Sequence, residues 1–343
     1  MALGRVPAAP SATGRRPVTA PHALVLRALG LGDLLTAVPA LRALRRDLPG
    51  HRLTLALPAP LAPLALLTGA VDDVLPAEGL APLRTYGAID IAVNLHGSGP
   101  QSHRVLSALR PRVLPAFGHP EFPELEGPPW DPAEHEVERW CRLLSEYGLR
   151  PDPGDLDLDP PGPPHTPPHT SPAPGAVVIH PGAAYPVRRW PAGRYAAVAA
   201  ALRAAGLDVV VSGGPAETRL AGRVAALAGL PPAADLSGRT SVLDLAALVA
   251  AARLVVCGDT GTGHLATAYR TPSVLLFGPV SPARWGPPPH RAEHTVLTGR
   301  AESGTGPDGD PHATTPDPGL LDIDADRVVA AAMESLSGTS GRI

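Results

Sequence analysis

Short apolar runs alternate with segments of helical periodicity along this chain, and the alternation occurs twice, on either side of a proline-rich break. That repeat constrains the fold more than any other feature, because strands alternating with helices build a parallel sheet covered by helices. In the first half, "HALVLRAL" (22–29), "RLTLALP" (52–58), "AIDIAVNL" (88–95) and "RVLPAFG" (112–118) read as buried strands. The segments "LLTAVPALRALRRDL" (34–48), "APLAPLALLTG", "SHRVLSALR" and "PAEHEVERWCRLLSEYGL" (132–149) carry helical spacing. Then "PDPGDLDLDPPGPPHTPPHTSPAPG" (151–175) places 10 prolines in 25 residues, the composition of an extended, semi-rigid linker.

After the break the pattern restarts. Strands are expected at 176–182, 207–214, near 233–238, at 253–259 and at 272–279, and helices at 191–206, 216–229, 241–252 and 262–270. A loop rich in Gly, Pro and Asp (301–318) precedes a last helix, "DADRVVAAAMESL" (324–336). The expected fold is α/β, with two Rossmann-like halves at 22–150 and 176–318. They are flanked by a disordered tail (1–21) and a closing helix with its tail (319–343). Ligands in such folds sit at the carboxyl ends of strands and, with two halves, in the cleft between them.

A chain of 343 residues is long for one domain and comfortable for two. Every one of its 29 basic residues is Arg, so Arg at a given position says little about selection there. The formal charge of −3 gives no basic footprint for nucleic acid, and no nucleic-acid partner is expected. Cys141 and Cys257 lack the spacing of a metal site or disulfide framework, so no metal is expected. The first 20 residues have no apolar signal region, and no apolar run reaches the roughly 18 residues of a membrane span. A soluble, cytoplasmic protein is expected, with transient membrane-surface contact left open.

Five stretches could carry chemistry. In "LGLGDLLTAVP" (29–39), Asp33 stands where a helix begins: either an N-cap or a carboxylate free to act as a general base. In "HPGAAYPVRRWP" (180–191), Gly182 ends a strand and the Arg188–Arg189 pair beside a helix start offers a diphosphate site, or else a solvated pair. In "VVVSGGPAETR" (209–219), Gly213 lets backbone approach a ligand and Glu217 could accept from ribose hydroxyls, although a glutamate in a first helical turn is expected anyway.

The fourth, "VVCGDTGTGHLATAY" (255–269), lacks the Lys of a phosphate-binding P-loop. A turn capped by Thr262 accounts for its glycines and threonines but leaves Asp259 and His264 idle. The fifth, "NLHGSGPQSH" (94–103), gathers Asn94, His96, Ser98, Gln101 and His103, neutral polar groups suited to carbohydrate hydroxyls or to an ordinary polar loop.

In order and spacing, "HPGAAYPVRRWPAGRYAAVAAAL", "SGGPAE" and "DLSGRTSVLDLAALVAAARLVVCGDTGTGHLATAYRTPSVLLFGPVSPARWGP" resemble glycosyltransferase family 9, the heptosyltransferases, with "LGLGDLLTAVPALRAL" adding the N-terminal part. The resemblance spans about 22–336 and implies a GT-B fold. Its N-terminal half would bind an acceptor, its C-terminal half a nucleotide-sugar donor, and its last helix would pack back on the N-terminal domain. It makes Asp33 the catalytic base. The donor set becomes Arg188, Asp259, Thr260, Gly261 and His264, joined by Gly182, Gly213, Glu217 and Thr240.

Arg188 stands where much of the family has Lys, and Ala183 and Ala184 replace hydroxyl residues of the best-known branch. His96, Ser98 and Gln101 are the acceptor candidates. The implied reaction is an inverting, metal-independent and cofactor-free transfer from a nucleotide diphosphate-sugar such as ADP-heptose to a glycan or glycolipid hydroxyl. A nucleotide-sugar epimerase of the same fold and a non-catalytic nucleotide-sugar binder are the alternatives.

Overall fold

The computed structural model describes residues 20–85, 87–161, 173–299 and 314–339. The expected tail at 1–19, the centre of the linker and the loop at 301–313 lie outside the described residues. The chain divides into two compact units at 156/157.

The first unit runs β1 (His22–Leu26), α1 (Leu31–Thr36), α2 (Val38–Asp47), β2 (Arg52–Leu57), α3 (Ala62–Leu67), β3 (Asp73–Pro76), β4 (Ile91–Asn94), α4 (Gln101–Ser107) and α5 (Glu136–Glu146). Its four strands are parallel in the order β3-β2-β1-β4. In β1, Ala23 to Leu26 are fully buried, as expected of a strand covered on both faces.

The sequence reading of one helix over 34–48 divides at Ala37. Pro39 falls in the first turn of α2, where its missing N–H costs nothing. The strand expected at 112–118 reduces to a bridge between Val113 and Ile91. Pro111 and Pro115 have no N–H to donate, yet the segment still runs beside β4 and accepts from it at Val113 and Pro115.

The second unit runs β5 (Val177–His180), α6 (Ala192–Ala204), β6 (Val209–Val211), α7 (Thr218–Leu227), α8 (Val242–Ala250), β7 (Leu254–Gly258), α9 (Gly261–Ala268), β8 (Ser273–Leu276), α10 (Pro282–Trp285), β9 (His294–Leu297), α11 (Pro318–Asp322) and α12 (Ala325–Thr339). Its five strands are parallel in the order β6-β5-β7-β8-β9. The strand sought near 233–238 is a single bridge from Asp235 to Val211. The strands absent from the sequence reading, β3 and β9, are both sheet edges. They are mostly half-buried and therefore weakly apolar in pattern.

The closing helix, expected to pack back on the N-terminal domain, instead buries Val328, Ala331, Ala332 and Leu336 in the core of its own C-terminal unit. Trp190 locks that closing segment in place. Its ring meets Tyr195 edge-on at 4.9 Å, and its Nε1 donates to the Ile323 carbonyl at 2.9 Å. Arg194 donates to the carbonyls of Leu321 and Ile323 as well.

The described ends of the linker are fastened rather than loose. Arg42 pairs with Asp155 in the first unit, and Arg270 and Arg291 pair with Asp157 in the second.

Trp190→Ala is expected to lower the stability of the second unit by about 3–5 kcal/mol, read by urea denaturation. Trp190→Phe keeps an aromatic ring but loses the bond to Ile323 and part of the buried indole volume, at a cost of about 1–3 kcal/mol. Equal losses for the two variants would refute this division between packing and hydrogen bonding.

Candidate active site and donor site

In the first unit β1 lies between β2 and β4, so the connections leaving β1 and returning to β4 diverge to opposite sides. Ligands of doubly wound sheets bind beyond the strand ends at such a point. Two loops meet there, and Arg27 joins them.

The Arg27 side chain is fully buried. Its Nε donates to the Asp33 carbonyl at 2.9 Å and its Nη1 to the Leu95 carbonyl at 2.5 Å. Its Nη2 donates to Glu136 Oε1 at 2.9 Å and to Thr36 Oγ1 at 3.2 Å, and lies 3.4 Å from Asp33 Oδ1. The guanidinium sits over the Trp140 ring, 4.7 Å from its centroid. Glu136 is in turn bonded by Arg139 and by Trp140 Nε1. Two buried cations thus face a buried and a half-buried carboxylate, the condition under which buried charge is tolerated.

Asp33 is not the N-cap of α1. That position is Gly30, and Asp33 stands three residues into the cap, where its Oδ2 accepts the Gly30 N–H at 3.1 Å. A quarter of its side chain, 26%, is exposed. Burial pushes the carboxyl above its usual range, and the nearby Arg27 offsets only part of that push.

His96 follows β4. Burial, with Arg27 adding to it, drives the imidazole down to about 4, so the ring is neutral at physiological pH. Its Nδ1 is buried without a hydrogen-bond partner among the described residues. The structure therefore brings two separately read stretches, those of Asp33 and His96, around one guanidinium.

The rest of the polar loop divides. Asn94 and His103 are fully buried and used internally: Asn94 bonds Ser102, Gly97 and the His96 N–H, and His103 Nε2 meets the Phe117 carbonyl. Ser98 is half-buried, and Gln101 is exposed at the start of α4.

In the second unit the equivalent divergence falls between β5 and β7. Arg188, in a short 3-10 turn after β5, reaches Asp259 beyond β7 with Nη1 3.4 Å from Oδ2. Its neighbour Arg189 donates twice to the Ala183 carbonyl, so the Arg pair read from the sequence splits into one site residue and one structural residue. The N-cap position of α9 is Thr260, whose hydroxyl makes no capping bond, and not Thr262, which is buried inside the helix. Gly261 opens the helix; the Gly263 N–H already donates to the Thr260 carbonyl at 3.0 Å, which leaves the Gly261 and Thr262 amides as the first-turn donors without an intrahelical acceptor. Gly263 is needed for packing: a Cβ there would stand 3.1 Å from Leu275 Cδ2.

His264 lies edge-on to Trp285 at 5.9 Å. Both line a recess of about 210 Å³, open to solvent, with Asp259, Thr260 and Phe277. Trp285 and Phe277 are absent from the sequence reading of the site.

Gly182 follows the end of β5 and leaves space for a neighbouring side chain. A Cβ there would stand 2.1 Å from Glu217 Oε1, so the glycine makes room for a carboxylate, not directly for a ligand. Glu217 Oε2 accepts the Gly214 N–H at 2.7 Å, and buried His180 lies 3.9 Å away. Burial lowers the His180 proton affinity, with Glu217 opposing. Gly213 is buried and accepts the Gly238 N–H, tying β6 to the loop that holds half-buried Thr240. No cluster of three or more His, Cys, Asp or Glu side chains able to hold a metal occurs among the described residues. No helix among them is long and apolar enough to cross a membrane.

Arg27, Glu136 and Arg139 also escaped the sequence reading. The available signal was a lone charge at the end of an otherwise apolar strand, "ALVLR".

A family model described as glycosyltransferase family 9 (heptosyltransferase) matches residues 128–305, just over half of the chain. The chain belongs to glycosyltransferase family 9. This family 9 protein is 36% identical over 164 residues to lipopolysaccharide heptosyltransferase 1 of Pseudomonas aeruginosa, a stretch covering 45% of this chain and 42% of that protein. Matched stretches span less than half the length of the curated relatives.

Among solved structures, the E. coli ADP-heptose lipopolysaccharide heptosyltransferase II aligns with TM-score 0.72 and 20% identity over 93% of this chain and 99% of that one. A glycosyl transferase family 9 protein from Veillonella parvula aligns at 0.70 and 20%, over 93% and 97%. The fold is GT-B, built from two parallel-sheet α/β units, as the sequence implied.

Because the folded protein holds the Asp33 proton more tightly than the unfolded chain, this residue's contribution to stability falls as pH rises from the ordinary carboxylate range through the folded-state midpoint. Asp33→Asn cannot ionise, so its stability relative to wild type should rise from acid to neutral pH in denaturant titrations. A pH-independent difference would contradict the raised proton affinity.

Proposed function

We propose that this family 9 protein is an inverting glycosyltransferase. It moves a heptose-like sugar from an ADP-linked donor to a hydroxyl of a glycan or glycolipid acceptor, without a cofactor or a catalytic metal. The observation that carries the reading is Asp33: a partly exposed carboxyl at a strand-end divergence, with raised proton affinity and one oxygen, Oδ2, already committed to Gly30. A general base needs such a group, accessible and more basic than an ordinary surface carboxylate. The heptosyltransferase relatives support the donor and acceptor classes.

In this mechanism the acceptor O–H gives its proton to Asp33 Oδ1 as its oxygen attacks the anomeric carbon. The bond from that carbon to the diphosphate oxygen breaks, and the leaving oxygen takes the electron pair. Arg188 and the first-turn amides of α9 meet the new negative charge. Asp259, Thr260, Gly261 and His264 hold the donor, while Glu217, with Gly182, Gly213 and Thr240 shaping its surroundings, meets the ribose. His96, neutral and with an unpaired Nδ1, contacts the acceptor with Ser98 and Gln101. The transfer takes place on the cytoplasmic side, with the protein free in solution or transiently at a membrane surface.

With ADP-heptose and a lipopolysaccharide-core, envelope-glycan or small-molecule acceptor, wild type is expected to release ADP and form a glycoside of inverted anomeric configuration. Asp33→Asn should lower transfer by about 10²–10⁴-fold with donor affinity unchanged. Arg188→Ala should lower kcat/KM by about 10²–10³-fold. Conversion of the donor sugar without any acceptor would instead mark an epimerase. Donor binding without turnover, with every acceptor class, would leave a non-catalytic binder.

A further inference from the structure

We propose that Arg27 is the positioning residue for Asp33, and that Glu136 divides the Arg27 charge so that the Asp33 carboxylate remains a usable base. This inference rests on the assignment of Asp33 as the base.

Arg27 holds both ends of Asp33: Nε grips its main-chain carbonyl at 2.9 Å, and Nη2 stands 3.4 Å from Oδ1. The same guanidinium fixes the Leu95 carbonyl, and His96 follows that residue directly. One planar fork therefore sets the Asp33 loop and the His96 loop relative to each other. An ammonium has no fixed fork with which to span these directions. The fork is itself immobilised by the Trp140 face and by Glu136, both on α5 and remote in sequence from the loops they steady.

The distances decide how the charge is shared. Nη2 is hydrogen-bonded to Glu136 at 2.9 Å and lies farther from Asp33, at 3.4 Å. Glu136 is further saturated by Arg139 and Trp140, while Asp33 Oδ1 receives only the longer approach. An undivided salt bridge would hold the carboxylate ionised but weakly basic. Burial is the largest influence holding the proton on Asp33, and the competing Glu136 carboxylate, bonded to the same guanidinium, adds to it against Arg27. Glu136 itself is held below its usual range by Arg27 and Arg139 despite burial, so it stays ionised and does not compete for the acceptor proton. The charged or titratable groups facing Asp33 are thus Arg27 and Glu136, with Arg139 behind Glu136 and His96, neutral, beyond Arg27.

The test follows the Asp33 proton directly and needs no substrate. Full-length protein carrying carboxyl-labelled Asp is titrated by carbon-13 NMR, and the Asp33 signal is assigned by its loss in Asp33→Asn. Glu136→Gln keeps an acceptor for Arg27 and Trp140 but removes the charge, so the Asp33 midpoint should move to lower pH. The acid limb of kcat/KM for transfer from ADP-heptose should move with it. Arg27→Lys keeps the charge without the fork, and should lower kcat by about 10²-fold with donor KM unchanged.

An unmoved Asp33 midpoint in Glu136→Gln overturns the division of charge, and wild-type kcat in Arg27→Lys overturns the positioning role. If Arg27→Lys fails to fold, Trp140→Phe, which removes the indole N–H bond to Glu136 while leaving a smaller aromatic face under Arg27, should still shift the midpoint, and no shift counts against the proposal. A midpoint that moves while transfer ignores it sustains the Arg27–Glu136 relation and refutes Asp33 as the base.

Discussion

A parallel sheet covered on both faces leaves little room for a charged side chain along its central strands. In each unit of this protein that constraint expels the chemistry to the strand ends. The first sheet pushes Arg27 and Asp33 past β1 and His96 past β4; the second pushes Arg188 past β5 and Asp259 past β7. Both groups fall where neighbouring connections part to opposite sides of the sheet, the one place where loops leave a crevice instead of closing over it. The two units reach the same solution with different chemistry. One has a buried cation serving two carboxylates, the other a half-buried cation facing one.

The alternation that announced two α/β units was legible because buried strands must be almost wholly apolar. Half-buried strands escape that requirement, which is why the edge strands β3 and β9 carried no clear signal while the fully buried edge strands β4 and β6 did. Prolines set the other limits. Pro39 splits a helix that periodicity alone would join, and Pro111 and Pro115 deny a strand pairing that hydropathy alone would grant. Both are local backbone facts written in the sequence.

The site was legible in part, for a different physical reason. Asp33, Asp259 and His264 stood out because each stands at or just past the junction between an apolar run and a helix. Arg27 and Glu136 did not, since their meaning lies in a contact between residues 109 positions apart, and Glu136 alone looks like an ordinary acidic first turn. Gly182 was read as the end of a strand, and only the folded chain shows the Glu217 carboxylate lying against it. Arg189 shows the converse: its commitment to the Ala183 carbonyl cannot be told from its charge.

The bond between Trp190 and Ile323 has a consequence in the order of synthesis. The loop bearing Arg188 is closed by residues near the end of the described chain: Asp317 donates to Val187, and Ile323 accepts from Trp190. A growing chain can pair β5 to β7 long before those residues leave the ribosome, but the Trp190 N–H and the Val187 carbonyl have no partner until Asp317 and Ile323 have emerged. The turn bearing Arg188 is therefore fastened last in the second unit, and a chain clipped before Asp317 loses both fastenings at once.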